Sequence, residues 1–138
     1  MIDLRFALIL LALACNPQPG TPGGVEPAEA TVASWAERFE LVRSDLVQLE
    51  AAHGAKDQDA AVASWEQAYR QRFEILIEQP VGADVDVHQI MAVEYAFGRV
   101  REGLESPRPA PVLAALTHLR EQLDALEPAV AALPAPIR

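Results

Sequence analysis

The chain reads VASWAERFELVRSDLVQL from residue 32 to residue 49, and this stretch decides the fold. Its apolar residues recur at alternating steps of three and four positions, which places them along one face of an α-helix. They are Val32, Trp35, Phe39, Val42, Leu46 and Leu49. The pattern predicts an amphipathic helix that ends near Gly54, because glycine often follows the last helical residue.

A second helix is expected after a short connection. Its apolar positions are Val62, Trp65, Tyr69, Phe73 and Leu76. The helical spacing extends from about residue 59 to about residue 79. Asp57 is the expected N-cap, because its carboxylate can accept a hydrogen bond from the first turn. Pro80 and Gly82 are expected to close the helix.

Two more helices follow. The third is expected to begin near Asp84 or Asp86 and to stop at Ser106, and Pro128 is expected to kink or end the fourth. The apolar positions of the third are Val87, Ile90, Met91, Phe97, Val100 and Leu104, and those of the fourth are Val112, Leu116, Leu119, Leu123 and Leu126. Four amphipathic helices joined by short loops predict an all-α fold, an up-down-up-down four-helix bundle over residues 26–138.

The beginning of the chain has a different character. Residues 6–14 form an apolar run that is typical of a signal peptide and too short to cross a membrane, which needs about 20 apolar residues. The run leads into Ala12-Leu13-Ala14-Cys15, which resembles the lipobox of bacterial lipoproteins. This resemblance implies a cleaved signal peptide at residues 1–14 and lipidation of Cys15. An ordinary secretory peptide, or a buried N-terminal helix with an incidental thiol, is the alternative.

Residues 15–25 are expected to be a lipidated cysteine followed by a flexible linker, because proline and glycine recur there and prevent regular structure. A membrane is then the first expected partner, reached through the lipid anchor. Asn16, rather than aspartate, follows the cysteine, which in lipoproteins favours the outer membrane. The expected location is the cell envelope, with the protein facing the periplasm.

Composition excludes several classes of function. The 20 acidic and 11 basic residues give a formal net charge of −9, so the basic surface of a nucleic-acid-binding protein is missing. A single cysteine excludes an internal disulfide and a cysteine-based zinc site. The sequence also lacks a nucleophile elbow, a phosphate-binding glycine loop and a His-Glu-x-x-His motif. No catalytic residue is assigned, and the chain is expected not to be an enzyme.

Three charged residues fall within the predicted apolar faces. Glu94 and Arg101 lie on that face of the third helix, and Arg72 lies on that of the second. One interpretation is an ion pair between Glu94 and either arginine. The other is that Glu94 is a metal ligand, as inward carboxylates are in di-iron helical bundles.

Two further patterns contain metal-ligating residue types. Glu74 and Glu78 are four positions apart, so their carboxylates share one helix surface and can chelate a hard cation, although a solvated charged face has the same pattern. At 100° per residue they point away from Trp65. Glu50 and His53 have the Glu-x-x-His spacing of di-iron bundles, in a single copy at a helix end.

One longer motif resembles a known group of proteins. It reads Ala68-Tyr69-x3-Phe73-Glu74-x3-Glu78, followed by Val93-Glu94-x2-Phe97-Gly98-x-Val100-Arg101-x-Gly103-Leu104. The motif is similar to the extracytoplasmic helical domains of bacterial iron-uptake systems, namely the imelysin-like proteins and the periplasmic segment of iron permeases. The resemblance implies a helical bundle that binds iron, with Glu74, Glu78 and Glu94 as the metal positions.

These observations favour a non-catalytic, lipid-anchored envelope protein that binds a metal ion, iron first, or assists its uptake. The alternative is a structural or protein-interaction lipoprotein without a metal, whose acidic surface meets a basic envelope protein partner.

Overall fold

The computed structural model describes residues 33–108 and 110–136, and within them the only regular structure is helical. The predicted all-α class with four helical rods is confirmed. The predictions for the signal peptide, the linker and lipidation at Cys15 fall on residues 1–32, outside the described residues. Within the described residues, none of the helices is long and apolar enough to cross a membrane.

The first helix, α1, covers Trp35–Gly54 and begins with a reciprocal cap. The backbone N–H of Ser34 donates to the Glu37 carboxylate at 2.7 Å, and the backbone N–H of Glu37 donates to Ser34 Oγ at 3.3 Å. These hydrogen bonds satisfy N–H groups that have no partner inside the helix, and they lower the pKa of Glu37. The predicted end at Gly54 is confirmed.

The second rod consists of α2 (Gln58–Glu66), a π-helix (Gln67–Glu78) and the short α3 (Gln79–Val81), which follow one another without interruption. Asp57 caps the rod by accepting a hydrogen bond from the backbone N–H of Ala60 at 3.0 Å, as predicted. Gly82 ends it with φ at 53°, a left-handed conformation that favours glycine. The expectation of uniform α-helix was wrong in the middle of this rod.

The π-helix changes which residues enter the core. Its hydrogen bonds join residues five apart, so side chains four to five positions apart share a face. Ala68, Phe73 and Ile77 are accordingly fully buried, at steps of five and four. The α-helical spacing placed Leu76 in the core instead, but it is Ile77 that has no exposed surface.

The last two helices are α4 (Val87–Glu105) and α5 (Ala110–Ala131). Asp86 caps α4, accepting a hydrogen bond from the backbone N–H of His88 at 2.9 Å. The prediction that Pro128 ends the fourth helix was wrong, because α5 continues to Ala131. Pro128 has no N–H to donate to the Asp124 carbonyl, so it removes one intrahelical hydrogen bond without stopping the helix.

The helices pack around one hydrophobic core. α1 contacts α2, the π-helix and α5, and α4 contacts α5 and α2. All five apolar positions predicted for the fourth helix are buried. Val87 and Met91 were wrongly assigned to the core, since they are 59% and 57% exposed. α4 and α5 approach so closely that a Cβ on Gly103 would lie 3.1 Å from a Val112 methyl group.

Candidate functional site

Aromatic rings hold the π-helix against α4. The Tyr69 ring centroid lies 5.0 Å from that of Phe97 and 5.3 Å from that of Trp65, and the Phe73 and Phe97 centroids are 5.6 Å apart. The Trp65 indole N–H also donates to the backbone carbonyl of Phe97 at 2.9 Å. Because Glu94 lies one turn before Phe97 on α4, this packing determines which π-helix residues face it.

Three carboxylates act electrostatically on a phenol that packs among these rings. Glu74 and Glu78 belong to the π-helix and Glu94 to α4, and we call these three residues the carboxylate cluster. All three side chains and that of Tyr69 are half-buried. Burial and the negative charges of Glu94, Glu78 and Glu74 raise the pKa of Tyr69, while Arg70 acts in the opposite direction.

The π-helical register explains why Glu78 acts on Tyr69. Nine residues correspond to about two and a half turns of α-helix, which would place the two side chains on opposite sides of the rod. The same nine residues make about two turns of π-helix, which brings them to one side. The sequence prediction used the α-helical angle and pointed Glu74 and Glu78 away from Trp65. Both side chains are half-buried rather than fully solvated.

Glu78 is the most constrained member of the cluster. Its Oε2 atom is buried and has no hydrogen-bond partner among the described residues. Burial raises the pKa of Glu78, and the negative charges of Glu94 and Glu74 raise it further. A buried carboxylate oxygen without a donor is unfavourable, so this position gains from a proton or a cation.

The arginines that were candidate partners of Glu94 are engaged elsewhere. Arg72 Nε lies 3.3 Å from Asp45 Oδ2 of α1. Arg101 Nε lies 3.3 Å from Glu105 Oε1, and its guanidinium stacks 5.3 Å from the Trp65 ring centroid. Within the described residues, Glu94 has no ion pair. The interpretation of Glu94 as the partner of Arg72 or Arg101 is therefore wrong.

The other candidate ligands do not join the cluster. Glu50 pairs with Arg120 at 2.6 Å, so the Glu-x-x-His motif does not converge on one point. His53 points its Nε2 atom into a buried position without a partner. Asp86 and His88, which follow Glu78 in sequence and also carry side chains of metal-ligating type, are exposed at the start of α4, where Asp86 serves as the cap.

The donor set suits a hard cation, but the side chains are not gathered on one point. Among residues 33–108 and 110–136, no group of three or more His, Cys, Asp or Glu residues stands close enough to hold a metal ion. Carboxylate and phenol oxygens are hard ligands, and half-buried glutamates can change rotamer. Binding of a cation would therefore require the glutamate side chains of the carboxylate cluster to change rotamer and converge on it.

Comparison with known proteins adds no assignment. No protein-family model matches the chain, and neither a curated protein nor a solved structure matches it significantly.

Tyr69 was predicted from the sequence as a core residue only, without a part in the candidate site. Helical spacing made it a core residue, and its ring does pack on Trp65 and Phe97. Its hydroxyl, however, lies within the electrostatic influence of the carboxylate cluster. The tyrosine next to Ala68 in the iron-uptake motif was the available signal.

Proposed function

We propose that the chain is a lipid-anchored cell-envelope protein whose up-down-up-down helical bundle binds a metal ion, iron first, or assists its uptake without catalysing a reaction. The observation that carries the proposal is the carboxylate cluster. Three half-buried carboxylates lie within electrostatic reach of one another, and none of them forms an ion pair within the described residues.

Without a bound cation, the carboxylate cluster is expected to destabilise the folded state. Like charges held close together destabilise a fold, and Glu78 adds a buried oxygen without a donor. A bound cation would neutralise the repulsion and stabilise the folded state by mass action. The long π-helix supports the same conclusion, since π-helical segments are rare and occur frequently at functional sites.

The carboxylate cluster would supply the ligands, with the Tyr69 hydroxyl beside it. The choice of iron comes from the iron-uptake motif, because oxygen donors alone also suit other hard cations. The motif divides in the structure into two parts. Ala68, Phe73 and Phe97 are buried packing residues, whereas the glutamates are the half-buried part available to a ligand.

The test is a calorimetric titration of the full chain, carrying Cys15→Ser to prevent lipidation, with ferrous, ferric, cupric and zinc ions. The ferric ion is kept in solution by a weak chelator. We expect saturable binding at micromolar affinity or better, about −8 kcal/mol. Glu74→Gln/Glu78→Gln and Glu94→Gln should each abolish it.

The charge-matched control is Glu102→Gln/Glu121→Gln, which removes two exposed carboxylates elsewhere. Equal loss of binding in the control would indicate non-specific attraction to an acidic surface. Absence of binding to the folded protein would overturn the metal proposal.

Anchoring is tested separately by labelling cells with a radioactive fatty acid and fractionating their membranes. The wild-type chain should incorporate label and sediment with the outer membrane, and Cys15→Ser should do neither. Label on the Cys15→Ser chain, or a wild-type chain without label, would contradict lipidation at this residue.

A second candidate function is a structural or protein-interaction lipoprotein without a metal. It is favoured by Val87, Met91 and Tyr95, which are 59%, 57% and 67% exposed and follow one another at four-residue steps on α4. Cross-linking in intact cells tests it: a partner that is captured by the wild type and lost with Met91→Asp/Tyr95→Asp, in a chain that binds no metal, would favour this alternative.

A further inference from the structure

A cleft lies between the connection that joins α1 to α2 and the end of α4. Its volume is about 620 Å³. His53, Lys56 and Gln58 line one side, and Glu105, Ser106 and Arg108 line the other. The cleft shares no residue with the carboxylate cluster.

Two cations at this cleft, Lys56 and Arg108, form no ion pair among the described residues. Among the described residues, four cationic side chains have no carboxylate oxygen within 4.0 Å, and two of the four line this cleft. The four are Arg38, Lys56, Arg70 and Arg108. Lys56 is also the only lysine in a chain of net charge −9. Two unpaired cations at one cleft are unexpected in a chain with this excess of acidic residues.

The nearest carboxylates do not pair with these two cations. Glu105 lines the cleft, but it forms an ion pair with Arg101 at 3.3 Å. Asp57 follows Lys56 in sequence, but its carboxylate caps α2 by accepting the Ala60 backbone N–H. The charge of Glu105 is thus paired with Arg101, while the Asp57 carboxylate is held by the cap and not by Lys56.

His53 supplies an independent sign of a missing partner. Its Nε2 atom is buried and forms no hydrogen bond with any described residue. Buried polar atoms in folded proteins nearly always have a partner. Because His53 lines the cleft, a turn of its ring would bring this nitrogen to an oxyanion bound there, which would accept its N–H beside two ammonium or guanidinium groups.

We propose that this cleft binds a phosphate-type oxyanion, with His53, Lys56 and Arg108 as its ligands. The Gln58 amide on one side donates to the Leu104 carbonyl, and the Ser106 hydroxyl on the other accepts from the Arg108 backbone N–H. Both free inorganic phosphate and the phosphate of a lipid headgroup carry this chemistry. The proposal is independent of the metal proposal, since the two sites share no residue.

The first arm of the test is a titration of the full chain (Cys15→Ser) with inorganic phosphate, followed by NMR of the histidine rings. The chain has three histidines, and the side chains of His88 and His118 are 84% and 50% exposed, so they serve as internal controls. At constant pH, and at ionic strength matched with chloride, His53 should shift saturably while the other two do not. Absence of a His53 shift, or parallel shifts of all three rings, would overturn the proposal.

Two double variants of equal net charge sharpen this arm. Lys56→Gln/Arg108→Gln should weaken phosphate binding at least about tenfold, because hydrogen bonds to charged groups are lost. Arg70→Gln/Arg99→Gln removes two exposed cations elsewhere and should leave it within about twofold. Equal weakening by both variants would show that overall charge, not the cleft, governs the effect.

The second arm distinguishes the two sources of phosphate. The full chain and both double variants are sedimented with phosphatidylcholine vesicles with and without phosphatidylglycerol. A preference for the anionic vesicles that only Lys56→Gln/Arg108→Gln reduces would identify a lipid headgroup. Phosphate binding without such a preference would support a free phosphate ligand. Failure of both arms would leave the cleft without the proposed ligand.

Discussion

The charged side chains on the two flanks of the π-helix differ in whether they have partners. On the flank toward α1, Arg72 pairs with Asp45, and Arg38 donates to the Leu76 carbonyl at 2.6 Å. On the flank toward α4, the carboxylate cluster forms no ion pair among the described residues. The first flank is thus held by paired charges, whereas the second leaves three glutamates unpaired, and it is there that we propose a cation binds.

The largest effect is expected from Arg38 on the flank toward α1. Arg38→Met should lower the free energy of unfolding by about 3 kcal/mol, since the buried guanidinium donates to both the Ala33 and the Leu76 carbonyls. Chemical denaturation monitored by circular dichroism measures the change. Arg99→Met is the matched control, because Arg99 is exposed and pairs only with Glu102 among the described residues, and it should change stability by less than about 0.5 kcal/mol. Similar losses for the two variants would remove the distinction between a buried and a surface arginine.

A smaller loss is expected from the ion pair on the same flank. Asp45→Asn should destabilise the fold by about 2 kcal/mol, because it leaves the half-buried Arg72 without its carboxylate. Asp124, whose side chain is 65% exposed in its pair with Arg43, provides the control Asp124→Asn. That control should cost less than about 1 kcal/mol in the same denaturation experiment. An unchanged unfolding curve for Asp45→Asn would show that the first flank does not depend on charge pairing.

On the flank toward α4, removing a charge is expected to raise the free energy of unfolding rather than lower it. In the absence of metal, Glu78→Gln should stabilise the fold by a few tenths of a kcal/mol, because it removes repulsion from Glu74 and Glu94. Glu66→Gln, an exposed change on the same rod, should have no measurable effect. Thermal unfolding of both variants checks this prediction. Destabilisation by Glu78→Gln would mean that this carboxylate has a stabilising partner and that the two flanks are alike.

Much of the fold follows from the sequence, because regular α-helices obey a fixed spacing. The apolar positions of α1 from Trp35 onward and of α5 are all buried as predicted, Asp57 caps as expected, and α4 begins at Asp86, one of the two expected starts. The predicted end at Pro128 failed because one missing backbone N–H does not stop a helix whose apolar face, including Leu126 and Val130, stays buried. These successes rest on patterns that a single helix carries within itself.

The candidate site could be predicted only in part. The sequence identified Glu74, Glu78 and Glu94 but gave no sign of the π-helix, because the step from Ala68 to Phe73 looks ordinary in an alanine-rich rod. The orientation of Glu78 depends on that register. The choice of arginine partners also failed, since Asp45 on another helix competes for Arg72 and residue spacing alone does not reveal this.

The smallest and most specific effect is the pH dependence of stability contributed by the flank toward α4. The folded-state pKa of Glu78 lies above its ordinary value of 4.5, so its contribution is fully present below that value and is lost as pH rises through the raised pKa. Glu37 acts in the opposite direction. Its pKa is lowered by the Ser34 cap, so its contribution is present above 4.5 and is lost as pH falls.

Unfolding curves from acid to neutral pH should therefore be compared between the wild type and Glu78→Gln. The wild-type chain should lose more stability than the variant as pH rises above 4.5. In Glu37→Gln, by contrast, the loss on acidification should be smaller. If Glu78→Gln and the wild type gave parallel curves, Glu78 would titrate like a solvated glutamate. The flank toward α4 would then have no more charge repulsion than the flank toward α1.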